Sequence, residues 1–175
     1  MRYDRVRQAT VTIRGLGSGL ALLAAGSLSG CATQLPAATG LPSLYQPMTA
    51  ADAHLDVATA RDMISAYRAR TGQGPLQIDP ALQKLAEAEA VAMAAADRPS
   101  RAQTVKSAVE RLGYAPAEAN LSAGYHTLAE AFSGWRDSPS HNATMLAPSA
   151  TRMGIATAYA PGSKYKVYWA LLVAK

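Results

Sequence analysis

The run Trp135-Arg-Asp-Ser138-Pro-Ser140-His141 sets two hydroxyls beside an imidazole, and Glu118 and Asn120 lie upstream of it. A histidine can serve as general base toward a hydroxyl nucleophile when a third group orients its ring. Closeness on a short turn does not set that geometry, and Ser138 before Pro139 reads as a helix cap. Zinc needs several ligands converging on one point, and the other two histidines, His54 and His126, fit surface or capping positions. Glu89 stands four residues from both Leu85 and Met93, which leaves a rim position as the main reading and an inward-pointing carboxylate as the other.

These residues depend on a scaffold of helices followed by strands. Thr49-Ala-Ala-Asp52 resembles a capping box, and Ala60, Met63, Ile64 and Tyr67 follow at the spacing of one helical face, until Gly72 and Gly74 end the helix. Asp79-Pro80 starts a second helix with a capping carboxylate and a proline at the first position. It runs to Ala96, with Leu82, Leu85, Ala86, Ala92 and Met93 as its apolar face. Val105, Ala108, Val109 and Leu112 make a one-face stripe over a third helix, 102–112, which reads as core packing alone. Asn120–Gly124 is an extended or irregular crossing. Thr127-Leu-Ala-Glu130 is another capping box, opening a helix whose Leu128, Ala131, Phe132 and Trp135 share a face and whose last turn is weakened by Gly134. The final segments change period: Met153 to Tyr159 and Tyr165 to Val173 alternate around Pro161-Gly162-Ser163, which predicts two antiparallel strands joined by a hairpin loop. Helices first and strands last argue for an α+β domain with helices packed on a small antiparallel sheet.

The N-terminus reads as an export signal. A basic stretch from Met1 to Arg14 precedes an apolar run, Leu16 to Leu28, too short to span a bilayer. Leu28-Ser29-Gly30-Cys31 is similar to a bacterial lipobox, which implies cleavage before Cys31 and lipidation of the only cysteine in the chain. The expected organisation is a signal peptide over 1–30, a flexible tether over 31–48 rich in proline and small residues, and one domain over 49–175. Arg2, Arg5, Arg7 and Arg14 against Asp4 carry +3 of the formal +5, which leaves +2 from Cys31 onward. That remainder is scattered and excludes a nucleic-acid partner.

In order and spacing the segments from 51 to 174 resemble the CAP superfamily, the SCP-type domain of cysteine-rich secretory, antigen-five and pathogenesis-related proteins. Ile64-Ser-Ala-Tyr-Arg68, Gly113-Tyr114, Trp135-Arg-Asp-Ser138-Pro-Ser-His141, Arg152-Met-Gly154-Ile-Ala156 and Tyr168-Trp169 carry the resemblance. It implies an α/β/α sandwich whose cavity gathers two histidines and one or two acids, a set that binds a divalent metal in several relatives. Against the family pattern Gly-Glu-Asn-Ile the chain has Glu118-Ala119-Asn120-Leu121, so alanine stands at the glutamate's place. The upstream histidine lines up with Arg101, leaving His141 as the one ionisable ligand that carries over. No cofactor is therefore expected; zinc would require Glu118 or Glu89 to turn into the cavity, and Glu118 could do so only after a backbone shift.

The resemblance and these departures lead to a membrane-anchored envelope lipoprotein with a non-catalytic binding domain, and to His141, Glu118, Asn120, Ser138, Arg101 and Glu89 as cavity residues. Arg101 in place of a histidine would favour a carboxylate or phosphate, so the small-molecule, glycan or protein ligand is anionic on this reading. The alternative is a hydrolase of peptide or envelope polymer working through His141, with or without a metal. The expected location is the outer membrane facing the periplasm, since Ala32 lacks the aspartate that signals inner-membrane retention, with the cell membrane as the other site. The protein is expected to be a monomer.

Overall fold

The computed structural model describes residues 40–175; the expected signal peptide, Cys31 and most of the expected tether lie outside the described residues. A single 3-10 turn, Ser43–Tyr45, precedes helix α1, Val57–Ala69. Strand β1, Gln77–Ile78, leads into α2, Pro80–Ala96, and α3, Ala102–Arg111. Strand β2, Ala117–Ala123, then α4, Leu128–Asp137, and α5, Pro139–Met145, precede the hairpin of β3, Arg152–Tyr159, and β4, Val167–Ala174.

The sheet order is β1-β3-β4-β2, antiparallel except for the parallel β1–β3 pair. Two strands were legible from alternation; the other two were not. β1 is two residues long, below any period, and at Asn120–Gly124 the extended alternative holds over the irregular one, in an edge strand that begins earlier, at Ala117, and pairs throughout with β4. β4 is buried at every position because helices cover both faces. Val167, Trp169, Leu171 and Val173 join α1 and α4 in one core, while Tyr168, Ala170, Leu172 and Ala174 join α2 and α3 in the other. This is the three-layer sandwich, with α+β composition.

Local chemistry sets most helix starts. The Asp79 carboxylate accepts from the amides of Ala81 and Leu82 at 2.9 and 3.0 Å, and Thr127 accepts from Glu130 N at 3.2 Å. Helix α1 departs from expectation. Thr49–Asp52 closes as a turn, with Ala53 N donating to Ala50 O at 3.2 Å, and Asp56 caps the helix through Thr59 N at 2.9 Å. The tether also ends before residue 48: Met48 is 3% exposed in the core and donates to His126 O at 2.7 Å, so the packed body takes in the segment from the 3-10 turn onward. On α2 the buried face runs through Ala90, leaving Ala92 exposed, and α3 stops before Leu112, which is exposed.

Two glycines mark close approaches. A Cβ on Gly154 would overlap the backbone of Leu82 and Gln83, where α2 lies directly on β3 and the Gln83 amide bonds both N and O of Ile155 at 3.0 and 2.9 Å. Gly134 makes room for the Tyr125 ring. On the opposite face Arg68 is wholly buried, and its guanidinium donates to the carbonyls of Gly74 and Met145 at 2.7 Å and of Ala147 and Ala150 at 3.0 Å.

Gly154→Ala is expected to lower stability by about 1–3 kcal/mol through overpacking, read as an earlier urea midpoint with an unchanged slope. Arg68→Met removes the donor from four carbonyls and is expected to cost about 3 kcal/mol or more; a midpoint within error of wild type would show that these bonds are dispensable.

Candidate functional site

Backbone parity on β2 decides which side chains reach His141. Gly124 N donates to Val167 O at 2.9 Å and Lys175 N to Pro116 O at 3.3 Å, so even-numbered residues turn their backbone toward β4. Ala117 N instead donates to Glu110 Oε1 at 3.3 Å, so odd-numbered residues turn theirs to the open edge. Side chains alternate likewise. Ala117, Ala119 and Leu121 enter the core beneath α3, whereas Asn120 and Ser122 face α4 and α5.

Asn120 is fully buried, and its amide donates to His141 O at 2.9 Å, fixing the first turn of α5 to the strand. Ser122 accepts from Trp135 Nε1 at 3.0 Å. The His141 ring is half-buried, and its Nδ1 is buried with no hydrogen-bond partner among the described residues. Burial holds the imidazole below its ordinary pKa, which favours the neutral ring.

A cleft of about 240 Å³ opens beside His141, lined by Gln103, Lys106, Glu118, Ala119, Leu121 and Ser140 among others. Glu118 reaches it without any backbone shift, because the cleft lies at the sheet's free edge and is accessible from both faces; the register of β2 on β4 is unbroken. Its carboxylate pairs with Lys106 Nζ at 2.8 Å. Lys106 was invisible in the reading of α3 as core packing alone. The available signal was its place beside Val105 at the margin of the apolar stripe, where a long cationic chain can reach past the core.

The other expected cavity residues do not converge here. Arg101 and Glu89 line a separate cavity with Arg98, and only Ser100 contributes to both. Ser138 precedes α5 but gives no side-chain cap, and its Oγ meets only Ser140 Oγ, at 3.5 Å. His126 is exposed, with its amide donating to Glu130 Oε2 at 2.7 Å in a capping arrangement, and His54 is exposed.

These residues do not fit a divalent metal. Among the described residues no three His, Cys, Asp or Glu side chains cluster closely enough to hold one. The carboxylate in the cleft is already neutralised by an ammonium that would repel a cation. Nor does the geometry assemble a nucleophile and base, since neither serine bonds the imidazole.

The family model for "CAP: Cysteine-rich secretory protein family" matches residues 61–173. No curated protein matches the chain in sequence. Among solved structures the fold is similar to an outer surface protein from Borrelia burgdorferi, at 17% identity and TM-score 0.58, covering 69% of this chain and 92% of that one. It is also similar to an extracellular protein containing an SCP domain from Bacillus anthracis, at 17% identity and TM-score 0.56, and to a cysteine-rich secretory protein from Staphylococcus aureus, at 16% and 0.51. Each match covers 67% of this chain, but only 39% and 37% of those two longer chains.

Because the folded pKa of His141 is depressed, the unfolded chain takes up its proton first as pH falls. The associated stability is complete above the ordinary histidine pKa and is lost on acidification below it. Urea midpoints are expected to fall from pH 7.5 to pH 5.5 (roughly one unit to either side of that pKa), and His141→Gln is expected to flatten the fall; an equal slope in both proteins would remove the buried-neutral assignment.

Proposed function

We propose, from the premise that the chain belongs to the cysteine-rich secretory protein family, that it is an exported, lipid-anchored envelope protein whose CAP domain is a non-catalytic binding module. The observation that carries this reading is the Lys106–Glu118 pair beside His141. It occupies the one carboxylate that could orient a base or hold a metal, and it presents an ammonium together with the hydroxyl of Ser140 and the amide of Gln103. Such a donor-rich cleft suits an acceptor-rich ligand, an anionic glycan or a carboxylate-bearing peptide. The cation is Lys106 rather than Arg101; Glu118 takes one of its three N–H donors, so the cleft carries no net charge and two ammonium donors remain for a ligand's acceptor oxygens. The reading includes no resident metal, no nucleic acid and a monomeric chain.

Export is supported by the signal-like N-terminus and by structural neighbours that are themselves described as outer-surface or extracellular proteins. Anchoring at Cys31, in an outer membrane facing the periplasm, rests on the run Leu28-Ser29-Gly30-Cys31 and on Ala32.

Two measurements test the proposal. In calorimetry with a panel of acidic peptides and anionic oligosaccharides, binding is expected in wild type and about tenfold weaker in Lys106→Ala; turnover of any panel member that vanishes in His141→Ala would replace the binding module by a hydrolase. Intact mass of the membrane fraction is expected to show acylated Cys31, with Cys31→Ser releasing the protein to the soluble fraction, and an unacylated thiol in that fraction would end the anchoring claim.

A further inference from the structure

A second cavity, of about 450 Å³, lies between the end of α2 and the start of α3, lined by Glu89, Arg98, Ser100, Arg101, Thr104 and Val105 among others. Its walls are fixed. Asp97 ends α2 in the left-handed region at φ 50°, and Arg98 N returns to Met93 O at 3.2 Å. The Asp97 carboxylate accepts from Lys164 N at 2.9 Å and from the Tyr168 hydroxyl, which ties the loop to the β3–β4 hairpin.

Glu89 is half-buried and Arg98 and Arg101 are exposed where they line the cavity, and these charges do not satisfy one another. Glu89 Oε1 is buried and accepts no hydrogen bond from any described residue, and among the described residues no ion pair joins Glu89 to Arg98 or Arg101. Arg101 is the N-cap of α3 but offers no side-chain cap; its carbonyl takes the amides of Thr104 and Val105 at 3.0 and 3.3 Å, which leaves its guanidinium uncommitted among the described residues. A simple anion would meet the Glu89 carboxylate, and a simple cation would meet two guanidinium groups. A molecule that carries both charges answers each group.

We propose that this cavity binds a small zwitterion of amino-acid type, a free amino acid or the end of a short peptide. Its ammonium meets Glu89, and its carboxylate meets Arg101 and Arg98. The site is separate from the His141 cleft and does not depend on what that cleft binds.

The test titrates the full chain with alanine, alanyl-alanine, N-acetyl-alanyl-alanine and alanyl-alanine amide, followed by calorimetry or by chemical-shift changes. Binding is expected for at least one of the two unblocked compounds, and whether alanine or the dipeptide binds more tightly tells a free amino acid from a peptide end. Blocking either terminus is expected to weaken binding about tenfold. Arg101→Ala is expected to weaken it by a similar factor, and Glu89→Gln to abolish the preference for a free amine. None of Glu89, Arg98 and Arg101 lines the His141 cleft, so failure of the first proposal leaves this one standing. Absence of binding by both unblocked compounds, or affinities unchanged in both Glu89→Gln and Arg101→Ala, would overturn it and leave Glu89 Oε1 to a buried water.

Discussion

The guanidinium of Arg68 holds the side of the molecule on which the cleft forms. It is a fully buried charge with no carboxylate partner among the described residues, satisfied by four backbone carbonyls, those of Gly74 after α1 and of Met145, Ala147 and Ala150 from the last residue of α5 onward. Burial pushes its pKa down, yet arginine remains protonated. Its planar fork can reach several carbonyls at once, which the single point charge of a lysine cannot. Two of the acceptors, Met145 and Ala147, lie at the end of α5, where helix carbonyls carry partial negative charge. With Tyr67 Oη donating to Asn142 Oδ1 at 2.9 Å and Asn120 holding His141 O, α5 is fixed along its length by α1 and β2. The position of the imidazole is thus a consequence of a motif on a different helix.

The same end of the sheet had another problem to solve. β2 is an edge strand, and an edge presents unpaired amides and carbonyls that invite a foreign strand. Here Glu110 takes the amide of Ala117, and the Lys106–Glu118 bridge spans the edge from α3 to the opposite face of the strand. The pair is half-exposed and worth at most about 1 kcal/mol as a surface ion pair. Its importance is positional: it covers the edge and sets an ammonium against the cleft's carboxylate.

The fold was largely legible because its signals are local. Asp79-Pro80 and Thr127–Glu130 act through their own side chains on adjacent amides, and the alternation of β3 and β4 survives wherever a strand has enough length to show it. Thr49–Asp52 has the same composition as a cap but sits where Met48 is drawn into the core, and tertiary packing overrode it. The site was legible only in part. His141 and Glu118 line one cleft and Asn120 is buried behind it on the His141 carbonyl, yet the role of Lys106 depends on strand parity and on the cleft lying at an edge, neither of which a spacing argument contains. Arg101 and Glu89, read as members of the same cavity, lie in a different one, because α3 presents Arg101, Thr104 and Val105 to that cavity and Ala102, Gln103 and Lys106 to the His141 cleft.

This division by α3 gives the alanine at 119 a structural reason. Ala119 points into the core under α3 and is 5% exposed, so its place supplies packing as well as cleft lining. A carboxylate there would have to leave the apolar core for the edge, where the Lys106 ammonium already stands. Alanine at 119, lysine at 106 and an acid at 118 are mutually consistent: the small side chain lets α3 approach β2, the approach brings Lys106 to the edge, and Lys106 then claims the neighbouring carboxylate. Donor chemistry in this cleft follows from how the helix packs on the strand.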